Sequence, residues 1–472
     1  MSLELFSGGH HAYIISHIWV HTKPPYLPKM STQSVNFSDH TMDHHCHHHK
    51  ERVAIIGTGW AGYALSHGLD LNKYCVIVVS PDTTSNMTPL LASVACGLFD
   101  FRIAQEPIRR KSRDIKYIKA CVTHIDFEEK MLGCHPAFSH LAMTESRDRE
   151  FGVHYDKVVI APGTINNTFN IPGVAEHAYF LKTVRDAQAI RNRISEMFEM
   201  ASIPAIPEDK QRQLLNVIIV GGGPTGIEMA AELTDLFQYD YTQLYPHLRD
   251  KMRVSVHTVS HKILSPYDAN LQEYATQSLN RNNVWVKFDS HITNVTADTI
   301  ETEEEGRIGY GLLVWATGDK STPLVDSLDV FKSSHGMHRI LTDSRLRVLR
   351  KDNTVNTDAY ALGDAADIDG KSLPPTAEVA LQKADYLIHQ FNTFPAPDIE
   401  PGVPFRYQQR QLVTYTGRKD GVVAGKKEYS GYGAWLSWRS GDLMWTRSWR
   451  RKIMICMTWV LNWWGGRDIA RN

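Results

Sequence analysis

At 472 residues the chain is too long for one ordinary hydrophobic core, so two or three domains are expected. A formal net charge of −1, with 22% charged residues, argues against a chain built as a whole to bind nucleic acid. The six cysteines (Cys46, Cys75, Cys96, Cys121, Cys134 and Cys456) form no CxxC or CxxxxC pair, so neither a disulfide scaffold nor a redox-active dithiol is expected and a reducing compartment fits.

Residues 1–50 are rich in His, Ser and Pro and contain no Arg, and they read as a disordered extension. The segment is acid-poor, as organelle-targeting leaders are, but lacks their arginines, which leaves a mitochondrial leader open. Its "HHCHHH" run crowds imidazole and thiolate as a transition-metal site does; a solvated low-complexity tract that catches metal adventitiously has the same composition. No metal site is assigned.

Residues 52–56 (RVAII) read as a buried parallel strand, and a helical pattern starts at Ala61. Between them Gly57, Gly59 and Gly62 fit GxGxxG. The first glycine permits the sharp turn, the second lets backbone approach a pyrophosphate, and the third lets helix and strand pack closely. The phosphates would sit on the free N–H groups of the helix N-terminus. A second strand, "YCVIVVSP", ends at Ser80, where a generic fingerprint has Asp or Glu for the ribose hydroxyl; a serine bonds it more weakly. The pattern returns as "NVIIVGGGPTGIEMAAEL", with Gly221, Gly223 and Gly226 at the turn. Two such cradles imply two dinucleotides on two similar α/β domains. Three further strands end at Ala161-Pro162-Gly163, at Ala316-Thr317-Gly318 and at Gly363-Asp364.

From about residue 51 onward the chain resembles the type II, or alternative, NADH:quinone oxidoreductases, within the two-dinucleotide flavoprotein reductases. The segments that carry the resemblance are "GTGWAG", "TPLLASVACGLFDFRIAQEPIRR", "GGGPTGIE", "VWATGDKSTP", "ALGDAAD", "LPPTAEVALQKADYL" and the closing "WRSGDLMWTRSWRRKIMICMTWVLNWWGGRDIARN". In that family Ser80-Pro81 is a usual strand end. The resemblance implies FAD as resident cofactor, NADH as hydride donor and ubiquinone as acceptor. Gly57, Thr58, Gly59, Trp60 and Ala61 would contact the FAD pyrophosphate and adenosine, with Gly62 packing the turn and Ser80 at the ribose. Thr88, Pro89 and Leu90 would line the middle of FAD, and Val122 would offer backbone to the adenine. Ala161 and Gly163 occupy the strand end before the chain leaves for the second domain. Asp364 would hold the ribityl or phosphate end, and Pro375, Thr376 and Ala377 would cover the isoalloxazine. For NADH, Gly221 opens the turn and Gly223, Pro224, Thr225 and Gly226 would cradle phosphate. Glu228 and Ala316-Thr317-Gly318 would lie near the nicotinamide half. Glu228 also has a plain reading, a first-turn carboxylate favoured by the helix dipole.

Two departures from the family bear on specificity. Where an acid usually meets the 2′-hydroxyl, the sequence offers Thr258, with His261 and Lys262 beyond, so NADPH becomes an expected second donor. Near the quinone the family's AQxAxQ pattern is replaced by "AEVALQ": Gln382 is kept, but Glu378 stands for Gln, and a carboxylate donates to a quinone oxygen only when protonated. The plain alternative makes Glu378 a surface residue beside Lys383.

From Trp435 on the chain holds seven of its eleven tryptophans, interleaved with Arg439, Arg447, Arg450, Arg451 and Lys452. Trp435, Trp438, Trp445 and Trp449 project onto one helical face, as suits a helix lying at the level of anionic headgroups; a face for a partner subunit has the same composition. The longest late apolar run is about half of the ~20 residues that cross a bilayer.

The expected architecture is therefore α/β: a His-rich extension (1–50), an FAD domain (51–175 and 318–395), an NAD(P)H domain (176–317) and a C-terminal amphipathic helical membrane-anchoring region (396–472). The expected activity is non-proton-pumping NAD(P)H:ubiquinone oxidoreduction at the mitochondrial inner membrane, peripheral, on either face. The alternatives are a reductase of the same fold with a non-quinone acceptor and a redox-sensing flavoprotein without turnover. A homodimer is left open.

Overall fold

The computed structural model describes residues 50–109, 115–138, 150–394, 403–467 and 469; the His-rich run and the leader reading lie outside them. In chain order the elements that frame the site begin with β1 (Glu51–Ile56), α1 (Trp60–Gly68), β2 (Tyr74–Ser80), α2 (Leu91–Ala95), β3 (Lys116–Asp126), β4 (Lys157–Ile160) and α3 (Val184–Ala201). Next come β5 (Asn216–Val220), α4 (Pro224–Asp235), β6 (Arg253–His257), β7 (Val284–Lys287), β8 (Leu312–Trp315), β9 (Val355–Ala361) and α5 (Ala377–Thr393). The chain closes with β10 (Leu412–Gly417), β11 (Asp420–Ala424), α6 (Tyr432–Trp445) and α7 (Trp449–Gly465).

A ten-stranded sheet has the parallel order β9-β4-β1-β2-β3 at its centre, flanked by shorter strands. Both faces are covered, so its central strands are apolar runs rather than alternating ones: Val53, Ala54 and Ile55 of β1 are each 0% exposed. The second sheet is five-stranded and wholly parallel, with β8-β5-β6-β7 in sequence and the strand Tyr179–Phe180 at its edge. In both sheets a glycine turn joins the end of a central strand to the helix that packs back on it, and in open parallel sheets ligands bind outside those strand ends.

The C-terminal region differs from the helical expectation. It opens with a three-stranded antiparallel sheet that contains β10 and β11, and β10 packs on α4. No helix among the described residues is long and apolar enough to cross a membrane. Cys96, Cys121, Cys134 and Cys456 are free thiols, whereas Cys75 in β2 is disulfide-bonded, contrary to the reading from spacing. Pairing depends on spatial approach, which scattered cysteines do not advertise.

Candidate functional site

The first glycine turn assigns each glycine a separate steric task. At Gly57 (φ +101°) an added Cβ would lie 2.3 Å from the Ala161 carbonyl oxygen, and at Gly62 it would lie 2.1 Å from the Gly57 oxygen. At Gly59 it would meet nothing within 4 Å. Gly59 is also the N-cap of α1 and supplies no side-chain cap, so the first N–H groups of that helix stay available to an anion. Beside the turn the hydroxyls of Thr58 and Ser80 lie 3.1 Å apart, both buried, so Ser80 braces the turn. The Trp60 indole N–H donates to the Thr88 hydroxyl at 3.0 Å, tying α1 to the short turn Thr88–Leu90 that also holds Pro89.

Distant segments complete this rim. A bulge in β3 between Val122 and His124 interrupts its ladder next to Val122, which pairs with Cys134. Ala161 follows β4, and Gly163 (φ +71°) has open space where a Cβ would point. A Cβ on Gly363 would lie 3.7 Å from that of Ala61, which places the Gly363-Asp364 turn against the first turn of α1. Asp364 has no hydrogen-bond partner for its carboxylate among the described residues, and burial pushes its carboxyl up. Pro375, Thr376 and Ala377 form the N-terminus of α5, where the Thr376 hydroxyl caps the Val379 N–H. A free helix N-terminus, an open glycine and an unpartnered carboxylate on one rim fit a dinucleotide such as FAD.

The second turn repeats the geometry. A Cβ on Gly221 (φ +128°) would lie 2.6 Å from the Ala316 oxygen, one on Gly226 would lie 2.0 Å from the Gly221 oxygen, and Gly223 has nothing within 4 Å. Pro224 takes the first helical position of α4 and Thr225 beside it is exposed. Ala316, Thr317 and Gly318 (φ +75°) leave β8 alongside. Beyond β6 Thr258 is buried, its oxygen 3.2 Å from the position of a Gly222 Cβ and accepting from the Ser260 N–H at 3.3 Å. The nearby acid comes from past the next strand: Asp289 pairs with His261 at 2.5 Å, so the strand end carries a carboxylate that sequence order had hidden.

Between α4 and the C-terminal helices lies a cluster of acids that spacing alone does not reveal. Glu228 accepts from the Trp438 indole N–H at 3.1 Å, and Trp438 stacks on Tyr415 at 4.6 Å. Burial, helped by the charge of Asp442, pushes the Glu228 carboxyl up to about 8 against the opposing hydrogen bonds from Tyr415 and Trp438. Glu228 is not in the first turn of α4, which corrects the helix-dipole reading. Because its folded-state pKa is raised from 4.5, the native protein holds a proton that the unfolded chain releases. That stability is present below about pH 4.5 and is lost as pH rises towards about 8. Glu228→Gln is therefore expected to unfold at a higher temperature than wild type above pH 8 and to show a flatter profile between; a thermal-unfolding series across pH checks this.

The tryptophan face needs correction. The chain breaks helix at Thr446–Ser448, where the Ser448 hydroxyl caps α7, so Trp449 belongs to a different helix from Trp435, Trp438 and Trp445. Trp438 turns inward at 8% exposure, and Trp445 meets Trp60 edge-on at 5.5 Å. The exposed apolar stripe is instead Trp449, Ile453, Met457, Leu461 and Trp464 on α7. Three arginines hold these helices inward. Arg447 stacks over Trp60 and Tyr63, Arg451 pairs with the fully buried Glu106 at 2.7 Å, and Arg467 pairs with Glu232 at 3.0 Å.

Glu378 is buried, which overturns the surface reading, and Lys383 beside it is 0% exposed and donates to the Ala366 carbonyl at 3.1 Å. The Glu378 carboxylate accepts from Gln382 at 2.9 Å and lies 3.5 Å from Arg410; burial raises its pKa and Arg410 opposes the rise. Gln382 also exchanges hydrogen bonds with the Gln408 backbone at 2.8 and 3.0 Å. Its amide is thus engaged within the chain.

Residues 51–384 match the pyridine nucleotide-disulphide oxidoreductase family. The chain is 37% identical to a probable NADH dehydrogenase of Dictyostelium discoideum over 89% of this chain and 91% of that protein. It is 34% identical to the mitochondrial internal alternative NAD(P)H-ubiquinone oxidoreductase A1 of Solanum tuberosum, over 89% of this chain and 88% of that protein. A solved structure of NDH2 from Plasmodium falciparum in complex with NADH superposes with a TM-score of 0.81 at 23% identity, covering 89% of this chain and 100% of that one. Such a likeness in sequence along nearly the whole length, on a frame of two glycine turns, decides the family: the chain belongs to the pyridine nucleotide-disulphide oxidoreductases and, within them, to the type II (alternative) NAD(P)H:quinone oxidoreductases.

Proposed function

We infer that the protein oxidises NAD(P)H and reduces ubiquinone without pumping protons, one hydride and one solvent proton yielding the quinol. The observation that carries this is the repeated turn in which only the second glycine is free of neighbours, at Gly59 and again at Gly223. The first turn, with Asp364 and the α5 N-terminus, is assigned to FAD, and the second to the nicotinamide dinucleotide. Bound FAD supplies the redox chemistry, hydride acceptance and two-electron delivery. The chain orients the donor with Ala316-Thr317-Gly318 and Glu228, and holds the acceptor side with Glu378 and Gln382. Thr258 carries no charge to repel a 2′-phosphate, and the nearby Asp289 carboxylate is paired with His261, which together support use of both NADH and NADPH; a large NADH preference in steady-state kinetics would remove this part.

The stripe on α7, with Arg450 and Lys452 beside it, supports a helix that lies in a membrane surface rather than crossing it. The mitochondrial relative supports placement in that organelle, and the surface-lying helix together with a membrane quinone as acceptor favours its inner membrane.

Anaerobic absorbance tests the activity. Yellow protein is expected to bleach with NADH and to recolour with a short-chain quinone; bleaching without recolouring would assign a non-quinone acceptor, and retained FAD without bleaching a sensor. Glu378→Gln is expected to reoxidise faster than wild type with unchanged reduction, because the amide donates where the carboxylate accepts. Equal reoxidation rates would release Glu378 from any acceptor role.

A further inference from the structure

A cavity of about 560 Å³, within the roughly 300–1,000 Å³ of small-molecule sites, opens between the end of α7 and the π-helical turn Leu236–Tyr241 that continues α4. It contains no residue of either glycine turn, of the strand ends or of α5. Two of its lining groups are chemically unspent. Arg439 of α6 lies over Trp459 at 4.5 Å and over Phe99 at 5.7 Å, forms no hydrogen bond among the described residues, and meets its nearest acid, Asp442, only at 3.9 Å. The Trp459 indole nitrogen is buried with no acceptor. Burial pushes the Asp442 carboxyl up, against the pull of Arg439, so across 3.9 Å this carboxyl offsets the guanidinium only weakly.

The other cation of the lining is already spent. Arg467 is committed to Glu232 and to the Cys96 carbonyl, and Asp240 lies 3.4 Å from the same guanidinium. What remains is a guanidinium with free donors beside an orphaned N–H, a pair that calls for anionic oxygens. The cavity rim is Trp463 and Trp464, 88% and 87% exposed, at the end of the apolar stripe. Rings of this kind sit at headgroup depth.

We propose that this cavity takes the phosphate of an anionic phospholipid headgroup, with Arg439 and Trp459 as its donors and the acyl chains leaving along the exposed face of α7. The proposal rests on the membrane-surface reading of α7 and deepens it from general adhesion to a built lipid site.

Flotation of the full-chain holoprotein with phosphatidylcholine vesicles, with and without phosphatidylglycerol, tests it. Trp459→Phe changes no charge, so a diffuse surface potential predicts no effect. Loss of one hydrogen bond to a charged group predicts affinity for the anionic vesicles roughly tenfold lower, with binding to neutral vesicles unchanged. Arg439→Gln is expected to lose at least as much, and more than Arg450→Gln, which removes an exposed charge outside the cavity. The lipid-free Trp459→Phe protein is expected to unfold no earlier than wild type, since an unsatisfied donor has gone. Wild-type affinity in both cavity variants, with wild type itself floating, overturns the lipid site alone; wild type that floats with neither vesicle overturns the surface reading and the site together.

Discussion

Gly57→Ala is expected to give a protein that no longer retains FAD. The new methyl would stand 2.3 Å from the Ala161 oxygen and 2.9 Å from its carbonyl carbon. Neither atom can retreat, because Ala161 is tied to β1 through its own N–H bond to Ile56 at 3.0 Å. The φ of +101° adds left-handed strain of about 1–2 kcal/mol for any L-residue. With the overlap included, the turn must open, and a cost above roughly 4 kcal/mol places the substitution among the exceptional ones. Gly223→Glu is the informative contrast. At φ −79° and with nothing within 4 Å the side chain fits, so the protein should fold and stay yellow. Its carboxylate would face the donor's pyrophosphate at several kcal/mol of like-charge cost, raising the KM for NADH by roughly 100-fold or more. Visible absorbance for FAD retention and initial rates for NADH read the two results separately. An unaltered KM in Gly223→Glu would move the donor away from the second turn.

Arg467→Ala is the second large effect. Its guanidinium holds Glu232, whose side chain is 2% exposed, and truncation leaves a carboxylate buried without its cation. Breaking one half of a buried pair costs about 3–5 kcal/mol, and the loss here falls on the contact between α4 and the end of α7. The expected result is a lower unfolding temperature and cleavage within the C-terminal helices under limited proteolysis. Adding Glu232→Gln should recover much of the loss, since the neutral amide needs no cation. A double variant no better than the single one would show that Arg467 acts by packing rather than by charge.

Both glycine turns were legible because their task is local: a few consecutive residues fix φ, close packing and an open backbone, so spacing carries the whole signal. The position of Asp364 followed from its motif for the same reason. The clamp formed by Arg447, Arg451 and Arg467 was not legible, because each side chain meets a partner more than 200 residues away, and sequence spacing says nothing about such pairs. The projection of Trp435, Trp438, Trp445 and Trp449 failed for a different reason: it ran one helical period across Thr446–Ser448, where Ser448 starts a new helix. The burial of Glu378, which removes only the plain surface alternative, was not legible because Arg410, its ion-pair partner, lies on irregular chain with no periodic signal.

The order of strands in the large sheet sets a sequence of events during synthesis. β9 lies against β4, yet it leaves the ribosome after every strand of the five-stranded sheet has been made. Domains fold as units while the chain emerges. The strands of the smaller sheet can therefore pair before the large sheet has its full parallel centre, and the larger fold closes around an already assembled neighbour.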